Sequence, residues 1–251
     1  MMSPQIGEAI RLTPRYFSWL LASLLIVLVL APQFEDSYIG AILLHAGLTA
    51  VFVTGVIANR HRKLIFRTSL VIAAVAIPLT WAAFATRAIE VSLSQFAVVV
   101  LFCGFTAGLI LSAVLREYLG AIQAVLGAIC VYLLIGLAWA TVYAAIDRIE
   151  PQSFDFNNHR TTTTTGGQTY TDFSQMVYFS FVTMSTLGFG DVSPKTPIAE
   201  SATWIQSVVG QLYIAILIAR LVTELPRPRR WTDETGTLTD DDAVEGESKD
   251  V

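Results

Sequence analysis

The chain has 251 residues, of which 54% are hydrophobic and only 14% charged, with a formal net charge of −4. Soluble domains carry about 25% charged residues, so a chain this apolar would expose too much hydrophobic surface in water. Its apolar residues are gathered into long runs, which is the pattern of a protein dissolved in lipid, and no nucleic-acid partner or cofactor is expected.

Six runs are long enough to cross a bilayer, which takes about 20 residues of helix. They fall at 16–34, 38–58, 68–85, 91–115, 120–145 and 199–222. The first follows Arg11 and Arg15 as a signal peptide would, but it is long and Ala31-Pro32-Gln33 is a poor cleavage site, so an uncleaved helix is expected. The second carries His45, a titratable residue deep in a span, expected to be neutral and bonded to a neighbouring helix. The fourth contains no Arg or Lys, and its Gly104-Phe105-Thr106-Ala107-Gly108 string predicts a small-residue packing face. Cys103 and Cys130 sit inside apolar runs and read as inert small residues.

Basic residues set the orientation. Arg11, Arg15, Arg60, Arg62, Lys63, Arg67, Arg116, Arg220, Arg227, Arg229 and Arg230 fall on one side if the spans alternate. Both termini are therefore expected in the cytoplasm, with the protein in the cell membrane. Residues 148–171 form an outer loop with the threonine run at 161–165 followed by Gly166-Gly167; it reads as low-complexity and mobile. The tail after Pro228 is acidic and without apolar periodicity, so it reads as disordered, with no folded sensing domain.

A seventh apolar stretch, 173–189, is too short and too rich in Ser, Thr and Gly to span. It reads as a re-entrant segment, which survives at membrane depth only where protein buries it or it lines water. Asp172, with Gln175 three residues on, predicts the start of a short helix over 173–185. That helix leads into Thr186-Leu187-Gly188-Phe189-Gly190-Asp191. This string resembles the potassium-channel filter followed by Asp, with Leu187 and Phe189 replacing the family's Val and Tyr. The resemblance extends over 120–222 and covers the first four spans only in their number.

The resemblance implies an all-α membrane protein with six transmembrane helices, a re-entrant pore helix and filter loop between spans five and six, and a homotetramer around one K+ pathway. The K+-binding residues would be Thr186, Leu187, Gly188, Phe189 and Gly190. A dehydrated cation needs several oxygens at once. Turning successive carbonyls inward takes alternating right- and left-handed backbone, which Gly188 and Gly190 permit. Thr186 would add a hydroxyl oxygen, while Leu187 and Phe189 would wedge against the surrounding helix. Asp191, Tyr178, Phe179 and Thr183 would support the filter, with Tyr178 and Phe179 as an aromatic cuff. Phe189 cannot donate the family's tyrosine hydrogen bond, and Val182 stands where some members carry a carboxylate, leaving Asp191 without that partner.

In the last span helical periodicity places Gln211, Ile214, Ala215, Ile218 and Val222 on one stripe; the resemblance makes Gly210 a gating hinge and turns that stripe toward the pore axis, with Gln211, Ile214 and Ile218 as cavity and inner gate. The domains are then a cytoplasmic N-terminus (1–15), a four-helix membrane domain without a charged sensor helix (16–117), a pore domain (118–225) and an acidic cytoplasmic tail (226–251). Alternatives are a non-selective monovalent cation channel and, more distantly, an intramembrane aspartyl protease, because Gly188-Phe189-Gly190-Asp191 matches a Gly-x-Gly-Asp string. The protease needs a second carboxylate in another span, and the nearest in sequence is Asp147, at the outer end of span five.

Overall fold

The computed structural model describes residues 15–30, 38–58, 63–86, 89–115, 121–156, 162–165 and 168–223. Expectations for residues 1–14 and for the acidic tail lie outside them. In order the elements are α1 (Arg15–Leu30), α2 (Tyr38–Ala58), α3 (Lys63–Thr86), α4 (Ile89–Leu115), α5 (Ala121–Ile149), β1 (Phe154–Phe156), β2 (Thr162–Thr165), β3 (Gln168–Thr171), α6 (Phe173–Met184), β4 (Val192–Pro194) and α7 (Pro197–Thr223).

Four helices, α3, α4, α5 and α7, are long and apolar enough to cross a membrane; α1 and α2 are apolar over the shorter stretches Phe17–Val29 and Ile42–Ile57. Within the described chain the apolar core runs from α1 to α5. Leu20 and Leu24 of α1, Val51 and Phe52 of α2, Phe102 and Cys103 of α4, and Cys130, Val131 and Leu134 of α5 are nearly inaccessible. Phe52 and Phe102 meet edge to face with ring centroids 4.7 Å apart, the geometry aromatic quadrupoles favour. The Cys103 and Cys130 thiols are free and buried, as their apolar settings predict. His45 is half-buried and packs its ring against Phe84 of α3, centroids 4.8 Å apart.

The packing face expected at Gly104 and Gly108 is not used within the chain. Both are exposed, with nothing within 4 Å of where a Cβ would sit. The buried side of α4 instead runs through Val99, Phe102, Cys103, Thr106, Ala107, Ile110 and Val114, with Ser92 and Gln95 nearer its start. Gly104 and Gly108 lie round the helix from that stripe.

The architecture is helical as expected, with short strands carried by the connections between α5 and α7. Within the threonine run, Thr162–Thr165 form β2 and pair antiparallel with β3, Thr165 opposite Gln168. β-branched threonines favour extended backbone. β1 pairs antiparallel with β4, Asp155 opposite Ser193, and Lys195 Nζ lies 2.9 Å from Asp155 Oδ2. This ribbon ties the end of α5 to the start of α7. A second buried cluster joins Tyr143 and Ile146 of α5, Phe154 of β1, Met176 and Phe179 of α6, and Ala199 and Ala202 of α7.

Candidate functional site

The short helix α6 begins close to where Asp172 predicts and ends one residue before the predicted stop. Asp172 has the extended backbone of an N-cap (φ −67, ψ 145) but makes no side-chain cap bond. The reciprocal cap expected with Gln175 does not form: Gln175 is buried, and its backbone N–H donates to the Asp172 carbonyl at 3.2 Å.

The C-terminus of α6 is closed by two backbone bonds, Leu187 N to Val182 O (3.0 Å) and Thr186 N to Thr183 O (3.1 Å). Together these are the paired bonds of a Schellman turn, which needs left-handed backbone at its first non-helical residue. That residue is usually glycine; here it is Thr186, with φ +58. A β-branched residue held there stores about 1–2 kcal/mol of steric strain. No local signal in the sequence marks Thr186 for this conformation. The Thr186 hydroxyl donates to the Ser185 carbonyl at 2.7 Å, which leaves its oxygen lone pairs open to a ligand.

Beyond Thr186 the handedness alternates. Gly188 (φ +52) and Gly190 (φ +74) are left-handed, whereas Leu187 and Phe189 keep negative φ. The segment lies past the negative end of the α6 dipole, a position that favours a cation. Leu187 is 58% and Phe189 64% exposed. Within one chain these side chains are largely uncovered, so the expected wedge against a helix is not made by the chain alone.

Tyr178, midway along α6, donates its hydroxyl to Asp191 Oδ2 at 2.7 Å. Asp191 thus has a side-chain partner after all. The hydroxyl comes from α6, although Phe189 and Val182 are apolar where the resemblance places a Tyr and, in some members, a carboxylate. Phe179 does not share this role. It is buried, its ring 5.0 Å from Tyr143 and 5.4 Å from Phe154, because successive helical residues point about 100° apart. Thr183 is half-buried and contributes its carbonyl to the turn at Thr186.

On α7, Thr196 Oγ1 accepts from Ala199 N at 3.4 Å ahead of a proline start, a common N-terminal arrangement. The helix runs unbroken through Gly210. A Cβ there would fall 2.6 Å from Met184 Cγ and 3.1 Å from the Met184 carbonyl oxygen, so Gly210 is where α7 touches the end of α6. Lower down, Gln211, Ala215 and Ile218 are exposed, while Ile214 is half-buried and packs on the chain's own core alongside Leu217. The expected stripe thus splits. At about 100° per residue, positions 211, 215 and 218 line up, and 214 sits to one side. Tyr213 ties the opposite face to α5 by donating to the Ala128 carbonyl at 2.6 Å.

A buried polar network missed by sequence reasoning lies behind α6. Gln206 of α7 donates its amide to Ser180 O (3.0 Å) and Ser180 Oγ (2.7 Å). It accepts a short hydrogen bond from the Tyr143 hydroxyl. Ser180 Oγ donates onward to the Gly136 carbonyl at 2.7 Å.

Two membrane-length helices, α5 and α7, are thus joined by a short helix and a glycine-bearing loop of alternating handedness. Residues 130–226, from within α5 to just past α7, match the family model described as an ion channel. The match supports an ion channel in a membrane and indicates a channel, not an enzyme, which sets the protease alternative aside. No curated protein and no solved structure matches the chain.

Proposed function

We propose that the chain is one subunit of a potassium-selective channel whose filter is formed by Thr186, Leu187, Gly188, Phe189 and Gly190. The observation that carries this reading is the alternation of backbone handedness over that segment, placed just past the end of α6. Alternation is what lets consecutive carbonyls share one side, and rings of such carbonyls can replace the hydration shell of K+. One chain supplies one such segment, so a closed ring calls for a homotetramer with cyclic symmetry. The exposed Leu187 and Phe189 support this, because a neighbouring subunit offers the surface they lack. Six spans with cytoplasmic termini in the cell membrane agree with the basic residues beside the apolar runs.

In this reading Asp191 and Tyr178 brace the outer end of the filter, and the turn at Thr183 and Thr186 braces the inner end. Gln211 and Ile218 face the cavity, where apolar rings can close a pore by excluding water.

The test is ion flux into liposomes holding the purified protein. K+ and Rb+ should pass well ahead of Na+ and Li+. Equal passage of Na+ and K+ would replace selectivity with a general cation pathway, and absence of flux would refute the pore reading.

A further inference from the structure

We propose that Gln206 is the positioning residue that sets the register of the inner helix α7 against the pore helix α6, and through it the conducting shape of residues 186–190. The proposal rests on the pore reading above.

Gln206 is fully buried, as are Ser180 and Tyr143. Three helices converge on its amide: α5 through the Tyr143 hydroxyl, and α6 through both oxygens of Ser180, with the amide itself on α7. The amide has one workable orientation. Reversed, its oxygen would meet the Ser180 carbonyl, and two acceptors repel. The Ser180 hydroxyl proton is committed to Gly136 O, so it cannot rescue a reversed amide.

The geometry repeats one turn on. Ser180 and Met184 are four residues apart on α6, as Gln206 and Gly210 are on α7, so each pair shares a helix face. Gln206 holds Ser180 by hydrogen bonds, and Gly210 closes on Met184 by contact. Contact alone tolerates sliding among apolar side chains, whereas the amide bonds are directional and break on any slip. A single buried polar group fixing helix register is the best-attested use of such groups. Met184 is two residues before Thr186, so the register of α7 on α6 bears directly on the strained turn that starts the filter.

The experiment compares K+ and Na+ flux in liposomes for the unaltered protein and three variants, each checked for its oligomer size. Gln206→Leu, which keeps the bulk and removes the bonds, should lower the K+/Na+ flux ratio roughly tenfold. Tyr143→Phe, which removes one oxygen, should lower it by a smaller factor. Gln206→Glu should behave like the unaltered protein at acidic pH and lose selectivity at alkaline pH. A protonated carboxyl supplies one donor and one acceptor, whereas the carboxylate presents only acceptors to Ser180 O.

Tyr143 is the titratable group touching position 206. Tyr132, Asp147, Tyr178, Glu200 and Tyr213 on the same three helices are unchanged, so the unaltered protein's pH profile is the baseline. An unchanged flux ratio in Gln206→Leu, or a Gln206→Glu profile no different from that baseline, overturns the proposal. If Gln206→Leu does not assemble, an unchanged ratio in Tyr143→Phe overturns it equally. No flux from the unaltered protein refutes the pore reading instead.

Discussion

Replacing Gly210 with Ala separates two roles for this residue, a close contact and a bending point. The added methyl would lie 2.6 Å from Met184 Cγ, 3.1 Å from the Met184 carbonyl oxygen and 3.4 Å from its Cα. The first contact can relax by moving a flexible side chain; the second engages backbone. Overpacking of this kind costs about 1–3 kcal/mol. Against it stands the better helix propensity of Ala, about 1 kcal/mol, so Gly210→Ala should destabilise each subunit by about 1 kcal/mol. Met184 is fully buried, and Met184→Ala alone should cost about 2–5 kcal/mol through the cavity it leaves. The double variant removes the Cγ that clashes and places the new methyl in the vacated space. It should therefore be less destabilised than the sum of the single changes by about 1–2 kcal/mol. Denaturant unfolding of the four proteins in detergent measures this coupling. Additivity within about 0.5 kcal/mol, with flux lost in Gly210→Ala regardless of residue 184, would refute the contact role and leave bending as the explanation.

Tyr178→Phe should reduce K+ flux several-fold by removing the donor to Asp191 (about 1 kcal/mol for a half-exposed bond). Asp191→Asn should lose a similar amount and the double variant little more; independent losses would show that the two act separately. Ile218→Ser should raise basal K+ leak by wetting the exposed stripe, whereas Leu217→Ser, on the core-packed side, should lower stability without opening the pore; liposome flux and unfolding midpoints distinguish the two outcomes. Open probability in planar bilayers should be nearly flat over roughly 200 mV, because α4 carries no Arg or Lys and each charge moved would contribute about 2.3 kcal/mol per 100 mV; a steep curve would locate moving charge elsewhere.

The helical pieces were legible because lipid imposes long apolar runs, and α6 stands out as the run too short to cross. Gly188 and Gly190 were legible because left-handed backbone is cheapest for glycine. What escaped depends on partners distant in the chain. Nothing near Gln206 announces Ser180 or Tyr143, and nothing near Asp191 announces that Tyr178, a helix turn inside α6, would supply its hydroxyl. The threonine run was read by its composition as shapeless, when its β-branched side chains favour extended backbone. The expected stripe on α7 failed at Ile214 because periodicity orders residues around a helix but does not say which arc the chain's own core will cover.

The β1–β4 ribbon makes a closed loop of the chain between Phe156 and Val192, with the β2–β3 pair, α6 and residues 186–190 all inside it. The entropy of closing such a loop grows only with the logarithm of its length, about 0.6 kcal/mol for each doubling. Once the ribbon and its Lys195–Asp155 pair have formed, the free ends of the pore segment are already held together. The remaining search is then local. The stretch around the β2–β3 pair can accept insertions or an epitope with little thermodynamic penalty, whereas a change at the ribbon itself releases the whole loop.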